Sequence, residues 1–123
     1  MIKRILVVED EPLIAMMITS MLRELDYVPL GPTHTPQQTL DFLDETPIDA
    51  ALLDLNLSAV RSDSIAERLD DLDIPFAFVS GYTAAQLPVK FQDRPFISKP
   101  LTQRSLAKAL KRLEEERSLS GGS

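Results

Sequence analysis

Five polar or charged side chains lie at the ends of short apolar runs of the kind that form buried strands. They are Glu9, Asp10, Asp54, Ser80 and Lys99. A lone carboxylate in a Leu-rich stretch is costly to bury without a partner, so Asp54 is expected at the carboxyl end of its strand. In open parallel α/β sheets that edge is where ligands bind. The spacing therefore predicts one polar site at one edge of a sheet.

The residue types at this predicted site favour phosphoryl chemistry on a metal. Two or three carboxylates within a few ångströms repel by roughly 4 kcal/mol per pair at an effective dielectric near 20. Either a carboxyl group keeps its proton or a cation occupies the site, and a cluster of carboxylate oxygens suits Mg²⁺. Lys99 and Ser80 suit phosphate oxygens. An aspartate beside these groups is equipped to form an aspartyl phosphate.

Composition limits the alternatives. The chain has 123 residues, 44% of them hydrophobic, which suits one domain, predicted at 1–117 with a disordered tail at 118–123. A net charge of −6 argues against nucleic-acid binding. The chain has no cysteine, so a metal site must use oxygen ligands or the single histidine, His34, which is expected in solvent. No apolar stretch is long enough for a membrane span or signal peptide, so the protein is expected in the cytoplasm.

Strand and helix patterns alternate along the chain. Strands are predicted at Ile5–Val8, Tyr27–Leu30, Ala50–Leu53, Phe76–Val79 and Phe96–Ser98. Helices are predicted from Pro12, from about Pro36 to Glu45, after an N-cap at Ser62, and after an N-cap at Thr102. Such alternation predicts an α/β fold with parallel strands, right-handed crossovers and helices on both faces.

Apolar spacing also predicts which helical residues are buried. The predicted sets are Ile14, Met17, Ile18, Met21, Leu22 and Leu25; Ile65, Leu69 and Leu72; and Leu106, Leu110 and Leu113. Between Tyr82 and Arg94 the pattern supports only a short or irregular element, because Pro88 would interrupt a longer helix.

Taken together, these residues closely resemble the receiver domain of two-component response regulators. The segments that carry the resemblance are Leu6–Glu11, Leu52–Asp54, Phe78–Gly81 and Lys99–Pro100. The resemblance implies a flavodoxin-like, doubly wound sheet of five parallel strands in the order 2-1-3-4-5, flanked by about five helices, with the fourth short or irregular. It also implies that Asp54 is the phosphoacceptor, with self-catalysed phosphotransfer and autodephosphorylation rather than multiple turnover.

The resemblance further implies roles for the neighbouring residues. Glu9 and Asp10 would hold Mg²⁺ together with Asp54 and the backbone carbonyl of Asn56. Ser80 and Lys99 would contact the phosphoryl group, and Ser80 and Phe96 would act as the switch, with Phe96 changing rotamer. Tyr82 would be a surface aromatic near the region that reports the change.

Two segments depart from the common receiver pattern. The loop after Asp54 lacks the proline and glycine that are common there, and Gly81 stands where many receivers have alanine. The stretch Phe78–Tyr82 resembles the FAT GUY-like subfamily, whose members often have an irregular fourth helix and accept phosphate from kinases of the HWE and related classes.

The resulting hypothesis is a stand-alone response regulator, a monomer or weak dimer. It would receive its phosphoryl group from a sensor histidine kinase or a histidine phosphotransfer protein, and would signal through another protein or act as a phosphate sink. Two alternatives stay open. A haloacid-dehalogenase-like phosphatase usually has a second aspartate two residues after the nucleophile, where this chain has Asn56. A phosphorylation-independent binding module on the same fold would need no Mg²⁺.

Overall fold

The computed structural model describes residues 2–57, 60–61, 63–81, 87 and 89–121. Strands and helices largely alternate along the chain, with two short additional strands after the third. They are β1 (Arg4–Val8), α1 (Pro12–Glu24), β2 (Val28–Thr33), α2 (Pro36–Glu45), β3 (Ala50–Asp54), β4 (Asn56–Leu57), β5 (Val60–Arg61), α3 (Asp63–Asp71), β6 (Phe76–Ser80), β7 (Phe96–Ser98) and α4 (Gln103–Gly121).

Five of the strands form one parallel sheet in the order β2-β1-β3-β6-β7. Counted among themselves, these strands have the predicted order 2-1-3-4-5, which confirms the doubly wound α/β fold. Strands β3 and β6 are buried along their whole length. Helices cover both faces of a parallel sheet, which is why these strands are continuous apolar runs rather than alternating ones.

Side chains of the sheet alternate between two apolar cores. Ile5 and Val7 of β1 belong to the core that includes residues of α1 and α4, such as Leu22 and Leu110. Leu6 and its alternate neighbours belong to the other core, with residues of α2 and α3. This alternation follows from the two-residue period of a strand. Packing on both faces fixes the position of β1, whose carboxyl end leads into Glu9 and Asp10.

Strand β2 is longer than predicted. The sequence predicts an end at Leu30 because Gly31 and Pro32 follow, but the strand continues to Thr33. Its pairing with β1 moves from Leu6↔Leu30 to Val8↔Thr33, so β2 contains one extra residue over this interval. Gly31 has φ of 88°, which a residue with a side chain rarely adopts. The irregularity shifts the register by one residue and places Thr33, rather than Pro32, opposite Val8 at the end of β1.

Two predicted core residues are exposed instead. Met17 of α1 is 46% exposed, whereas Ala15, Ile18 and Leu22 of the same helix are buried. Leu72, the first residue after α3, is 38% exposed. Helical spacing predicted that both residues are buried, but an exposed row of apolar residues has the same spacing as a buried one.

Between β6 and β7 the described residues contain a short 3₁₀ helix, Val89–Phe91. This confirms the predicted short or irregular element. Tyr82 and Pro88 lie outside the described residues. Arg94 fixes the segment, because its guanidinium bonds both carboxylate oxygens of Asp70 at 2.6 and 3.0 Å and lies 5.8 Å from the ring centre of Phe91.

The last helix begins as predicted. Ser105 donates its backbone N–H to Thr102 Oγ1 at 3.0 Å, the bond expected of an N-cap. The helix then continues to Gly121 and so includes residues 118–121 of the predicted tail. The preceding Glu and Arg residues are good helix formers, which favours this extension. In the part of the chain that the structure describes, no helix is long and apolar enough to cross a membrane.

Candidate functional site

The predicted site residues come together at the carboxyl edge of the sheet. Glu9 and Asp10 follow β1, Asp54 is the last residue of β3, Ser80 is the last residue of β6, and Lys99 follows β7. Because β1, β3, β6 and β7 are neighbours in one parallel sheet, their ends converge. Sequence order alone scatters these residues over ninety positions, and the topology collects them.

Three carboxylates form the centre of the site. One oxygen from each of Glu9, Asp10 and Asp54 lies within 4.8 Å of the others. Glu9 and Asp54 are buried, and Asp10 is half-buried. Lys99 Nζ lies 3.2 Å from Glu9 Oε1 and 3.8 Å from Asp54 Oδ1. One ammonium group cannot neutralise three carboxylates, so the cluster has room electrostatically for a further cation.

Glu9 is the most constrained of the three carboxylates. It is 1% exposed, and its Oε2 accepts a hydrogen bond from the backbone N–H of Glu11 at 3.2 Å. Within the described part of the chain, no group hydrogen-bonds Oε1 with suitable geometry, although Lys99 Nζ is close enough for an ion pair. A buried carboxylate oxygen left in this condition is costly. An all-oxygen donor set with one underused oxygen fits a hard divalent cation such as Mg²⁺.

Backbone hydrogen bonds connect the strand ends around this cluster. Lys99 donates its N–H to the carbonyl of Ser80 at 2.8 Å, and Leu55 donates its N–H to the carbonyl of Val79 at 3.2 Å. Ser80 is buried and pairs in register with Ser98. The residues that follow β3 and β7 are therefore both attached to β6, which fixes the spacing between Asp54 and Lys99.

The segment after Asp54 forms a small hairpin that the sequence did not predict. Strands β4 and β5 pair antiparallel, with Asn56 opposite Arg61 and Leu57 opposite Val60. The backbone of Asn56 therefore has a fixed place two residues beyond Asp54, and its side chain lies outside the described residues. Phe96, the predicted switch aromatic, pairs in register with Phe78 and is half-buried against the core on that face.

Sequence reasoning missed one residue at this edge. His34, expected only in solvent, has an exposed side chain whose Nδ1 lies 2.9 Å from the carbonyl oxygen of Glu9. The residue follows β2, whose extra residue shifts the register so that His34 lies beside Glu9. The other four predicted strands end in polar residues, but the predicted end of β2 at Leu30, before Gly31 and Pro32, placed His34 too far from this edge.

Comparison with known proteins agrees with this arrangement. Residues 5–111 match the response regulator receiver domain family. Because the match spans most of its length, the chain belongs to the response regulator receiver domain family. Magnesium binding and aspartyl phosphate are typical of that family. No curated protein sequence matches the chain significantly.

Solved structures show the same similarity. The solution structure of SdrG from Sphingomonas melonis Fr1 is 43% identical over 91% of this chain and 96% of that chain, with a TM-score of 0.83. The BeF3-activated conformation of SdrG from Pseudomonas melonis Fr1 is also 43% identical, over 89% and 94% of the two chains, with a TM-score of 0.79. A CheY-like receiver domain from Methylobacillus flagellatus shares the fold at 22% identity, covering 92% and 99%, with a TM-score of 0.79.

Proposed function

We propose that this chain works as a single-domain response regulator in the cytoplasm, with Asp54 as the phosphoacceptor. The observation that carries the proposal is the group of three carboxylates within 4.8 Å beside Lys99. Structural roles alone would not require three like charges to share one edge of the sheet. The phosphoryl donor would be a histidine kinase, including kinases of the HWE class, or a histidine phosphotransfer protein.

In the proposed reaction a carboxylate oxygen of Asp54 attacks the phosphorus of a phosphohistidine. An O–P bond forms, the P–N bond breaks, and the electron pair of that bond stays on the donor histidine. Lys99 would hold one phosphoryl oxygen by charge, and the Ser80 hydroxyl would donate to another. Hydrolysis of the acyl phosphate would later restore Asp54 and release inorganic phosphate.

The metal of this reaction would be Mg²⁺ held by Glu9, Asp10, Asp54 and the backbone carbonyl of Asn56. When bound, it neutralises charge on the phosphoryl oxygens. Asp10 is the most exposed of the three carboxylates, whereas Glu9 and Asp54 are buried. Lys99 would pass from its contact with Glu9 towards the phosphoryl group as the negative charge there grows.

An apolar surface next to the site supports a protein as phosphoryl donor. Leu13, Met16 and Met17 of α1 are all exposed, although they are large apolar residues. Met17 also lines a groove of about 320 Å³ with Ile14, Lys99, Pro100 and Leu101. Clustered exposed apolar side chains favour a docking surface. A donor seated there would bring its phosphohistidine to the edge that Lys99 and Asp54 share.

The output would be a change of surface that a partner protein recognises, or the removal of phosphoryl groups from a shared kinase. The added charge of about −1.5 to −2 at Asp54 would reorganise contacts of Ser80, Lys99 and Phe96. SdrG from Pseudomonas melonis Fr1 has a BeF3-activated conformation. Beryllofluoride resembles a phosphoryl group in shape and charge, so this relative supports an activating change at the equivalent edge here.

The test is stoichiometric labelling. Incubation with Mg²⁺ and acetyl phosphate should add one phosphoryl group to the intact mass of the wild type and none to Asp54→Asn. Asp44→Asn, which changes an exposed surface carboxylate paired with Arg68, is the matched control and should label normally. Labelling of Asp54→Asn would overturn the proposal. Continuous turnover of p-nitrophenyl phosphate would instead favour a haloacid-dehalogenase-like phosphatase. Labelling without Mg²⁺ would contradict the proposed requirement for the metal.

The docking surface has its own test. Met17→Lys places a charge in the apolar groove, so it should slow transfer from a phosphorylated histidine kinase or phosphotransfer protein. Labelling by acetyl phosphate should stay normal, because this small donor needs no docking surface. Equal loss with both donors would show that Met17→Lys damages the site itself and would remove the support for docking on α1.

A further inference from the structure

The only histidine of the chain holds the backbone of a residue in the carboxylate cluster. Its Nδ1 lies 2.9 Å from the carbonyl oxygen of Glu9. We propose that His34 is a positioning residue of the divalent-cation site, acting through the Glu9–Asp10 peptide. This inference rests on the proposed function, because it assigns His34 a part in the metal binding proposed there.

Strand β2 holds Glu9 from both sides of its backbone. The N–H of Glu9 donates to the carbonyl of Thr33 at 3.0 Å, and its carbonyl accepts from His34 Nδ1. Two consecutive residues of the β2 end thus satisfy both main-chain groups of Glu9. The extra residue between Leu30 and Thr33 shifts the register by one, so that Thr33 lies opposite Val8 and His34 follows beside Glu9. The irregular end of β2 and His34 therefore act together to hold the backbone of Glu9.

His34 is itself held in place before any ligand binds. Its backbone N–H donates to Gln38 Oε1 at 2.8 Å, and the N–H of Gln38 donates to Thr35 Oγ1 at 3.1 Å. This is a capping box in which the Gln38 side chain reaches one residue further back than the usual pattern. Thr33 Oγ1 also lies 2.7 Å from Thr39 Oγ1 in a buried contact. The imidazole therefore extends from a rigid start of α2.

The peptide that His34 grips joins two of the three carboxylate residues. The carbonyl of Glu9 and the N–H of Asp10 belong to the same planar unit, so fixing one orients the other. Glu9 Oε1 is the oxygen left without a hydrogen bond among the described residues, and its aim depends on the backbone behind it. Partners that orient metal ligands typically contribute 10–100-fold in affinity. Because His34 is exposed, we expect its contribution at the lower end, about tenfold.

This role makes a specific statement about the imidazole. A carbonyl oxygen only accepts, so neutral His34 must carry its proton on Nδ1. Asparagine can replace this donor, since Asn Nδ2 is separated from Cα by the same number of bonds as His Nδ1. Alanine cannot. The comparison of His34→Asn with His34→Ala therefore separates the hydrogen bond from the bulk of the ring.

The experiment titrates Mg²⁺ into the wild type, His34→Ala and His34→Asn, with affinity read from NMR amide shifts and from the rise in Tm. We expect His34→Ala to bind about tenfold more weakly and His34→Asn to stay within about threefold of the wild type. Gln92→Ala removes another side-chain bond to a carbonyl, Gln92 Nε2 to Leu87 O at 2.9 Å, and serves as matched control with unchanged affinity.

Each other outcome has a defined meaning. Equal affinity of His34→Ala and wild type overturns the positioning role, as does an asparagine variant as weak as the alanine variant. An Nε2-protonated tautomer of neutral His34 in ¹⁵N spectra also overturns it. A wild type that binds no Mg²⁺ at all overturns the proposed function instead. If the wild type is labelled by acetyl phosphate and Asp54→Asn is not, the proposed function stands and only the role of His34 has failed.

Discussion

Lys99 Nζ lies 3.2 Å from Oε1 of the buried Glu9, on the carboxylate oxygen that lacks a hydrogen bond among the described residues. The ammonium group therefore stands where a second cation would also gain most. A bound metal would compete with Lys99 for Glu9, and a phosphoryl group on Asp54 would offer Lys99 a new partner.

Lys99→Met should raise Mg²⁺ affinity several-fold at low salt, because a positive charge beside the carboxylates is removed. Phosphorylation by acetyl phosphate should slow by about 10²-fold or more, as when one preorganised group is deleted from a charged transition state. Magnesium titration and labelling rates check the two signs on one variant. A parallel fall in affinity and rate would indicate that Lys99→Met only disrupts the fold.

Asp10→Asn should distinguish the effect of charge repulsion among the three carboxylates from the effect of Mg²⁺ binding. In metal-free buffer the variant should gain stability on the order of 1 kcal/mol, because one of three clustered charges is removed and Asp10 is partly screened by water. Addition of Mg²⁺ should raise its Tm far less than that of the wild type. Thermal unfolding with and without Mg²⁺ measures both. If Asp10→Asn lowers metal-free stability, repulsion in the cluster has been misjudged.

Gly31→Ala tests the irregular end of β2. A Cβ at Gly31 would lie 2.9 Å from the backbone N of Thr33 and 3.1 Å from the carbonyl of Val7, and φ of 88° is itself unfavourable. We expect a loss of roughly 1–3 kcal/mol in the free energy of unfolding. Gly81→Ala is the matched control, since a Cβ there meets nothing within 4 Å, and its effect should stay within about 0.5 kcal/mol. Urea unfolding of both variants decides, and equal losses would contradict the assignment.

Asp49 links three parts of the chain at the opposite edge of the sheet. Its Oδ2 accepts from the backbone N–H groups of Lys3 and Arg4 at 2.9 and 2.8 Å, and its Oδ1 lies 3.6 Å from Arg117. Burial opposes ionisation, but the two N–H groups and then the guanidinium hold the pKa of Asp49 below its usual value of 3.8. The ionised carboxylate is therefore favoured more strongly in the folded state than in the unfolded chain.

A group with a lowered folded-state pKa stabilises above its unfolded pKa, and that stability is lost as pH falls through the folded value. Asp49→Asn should therefore cost about 1 kcal/mol at neutral pH, and the difference from wild type should shrink as pH falls below about 4. Urea unfolding from pH 7 down to pH 3 measures this. Asp44→Asn, exposed and paired only with Arg68 in the contacts seen here, should show a much smaller gap at every pH. A gap for Asp49→Asn that widens on acidification would refute the assignment.

Much of the fold followed from local patterns because strongly buried strands have little ambiguity. The runs Ala50–Leu53 and Phe76–Val79 are apolar throughout, and the structure places both at the centre of the sheet. The placement of Glu9, Asp54 and Lys99 then followed from parallel topology, which directs every strand end to one edge. Those predictions needed no knowledge of side-chain contacts.

The remaining errors arise where tertiary contacts override local patterns. Gly31 and Pro32 usually end a strand, yet pairing with β1 continues β2 through them to Thr33. Met17 has the spacing of a core residue, and only the packed structure shows that its side of α1 is uncovered. The hydrogen bond of His34 depends on the β2 irregularity, so sequence spacing alone had no means of predicting it.

The bond from the Lys99 N–H to the Ser80 carbonyl has a mechanical consequence. Ser80 and Lys99, which would both contact the phosphoryl group, are joined by this main-chain hydrogen bond of 2.8 Å. The backbone of one residue therefore cannot move without affecting the other. A displacement of either residue would therefore move the ends of β6 and β7 together. A partner that binds far from the site would detect one concerted change rather than two independent ones.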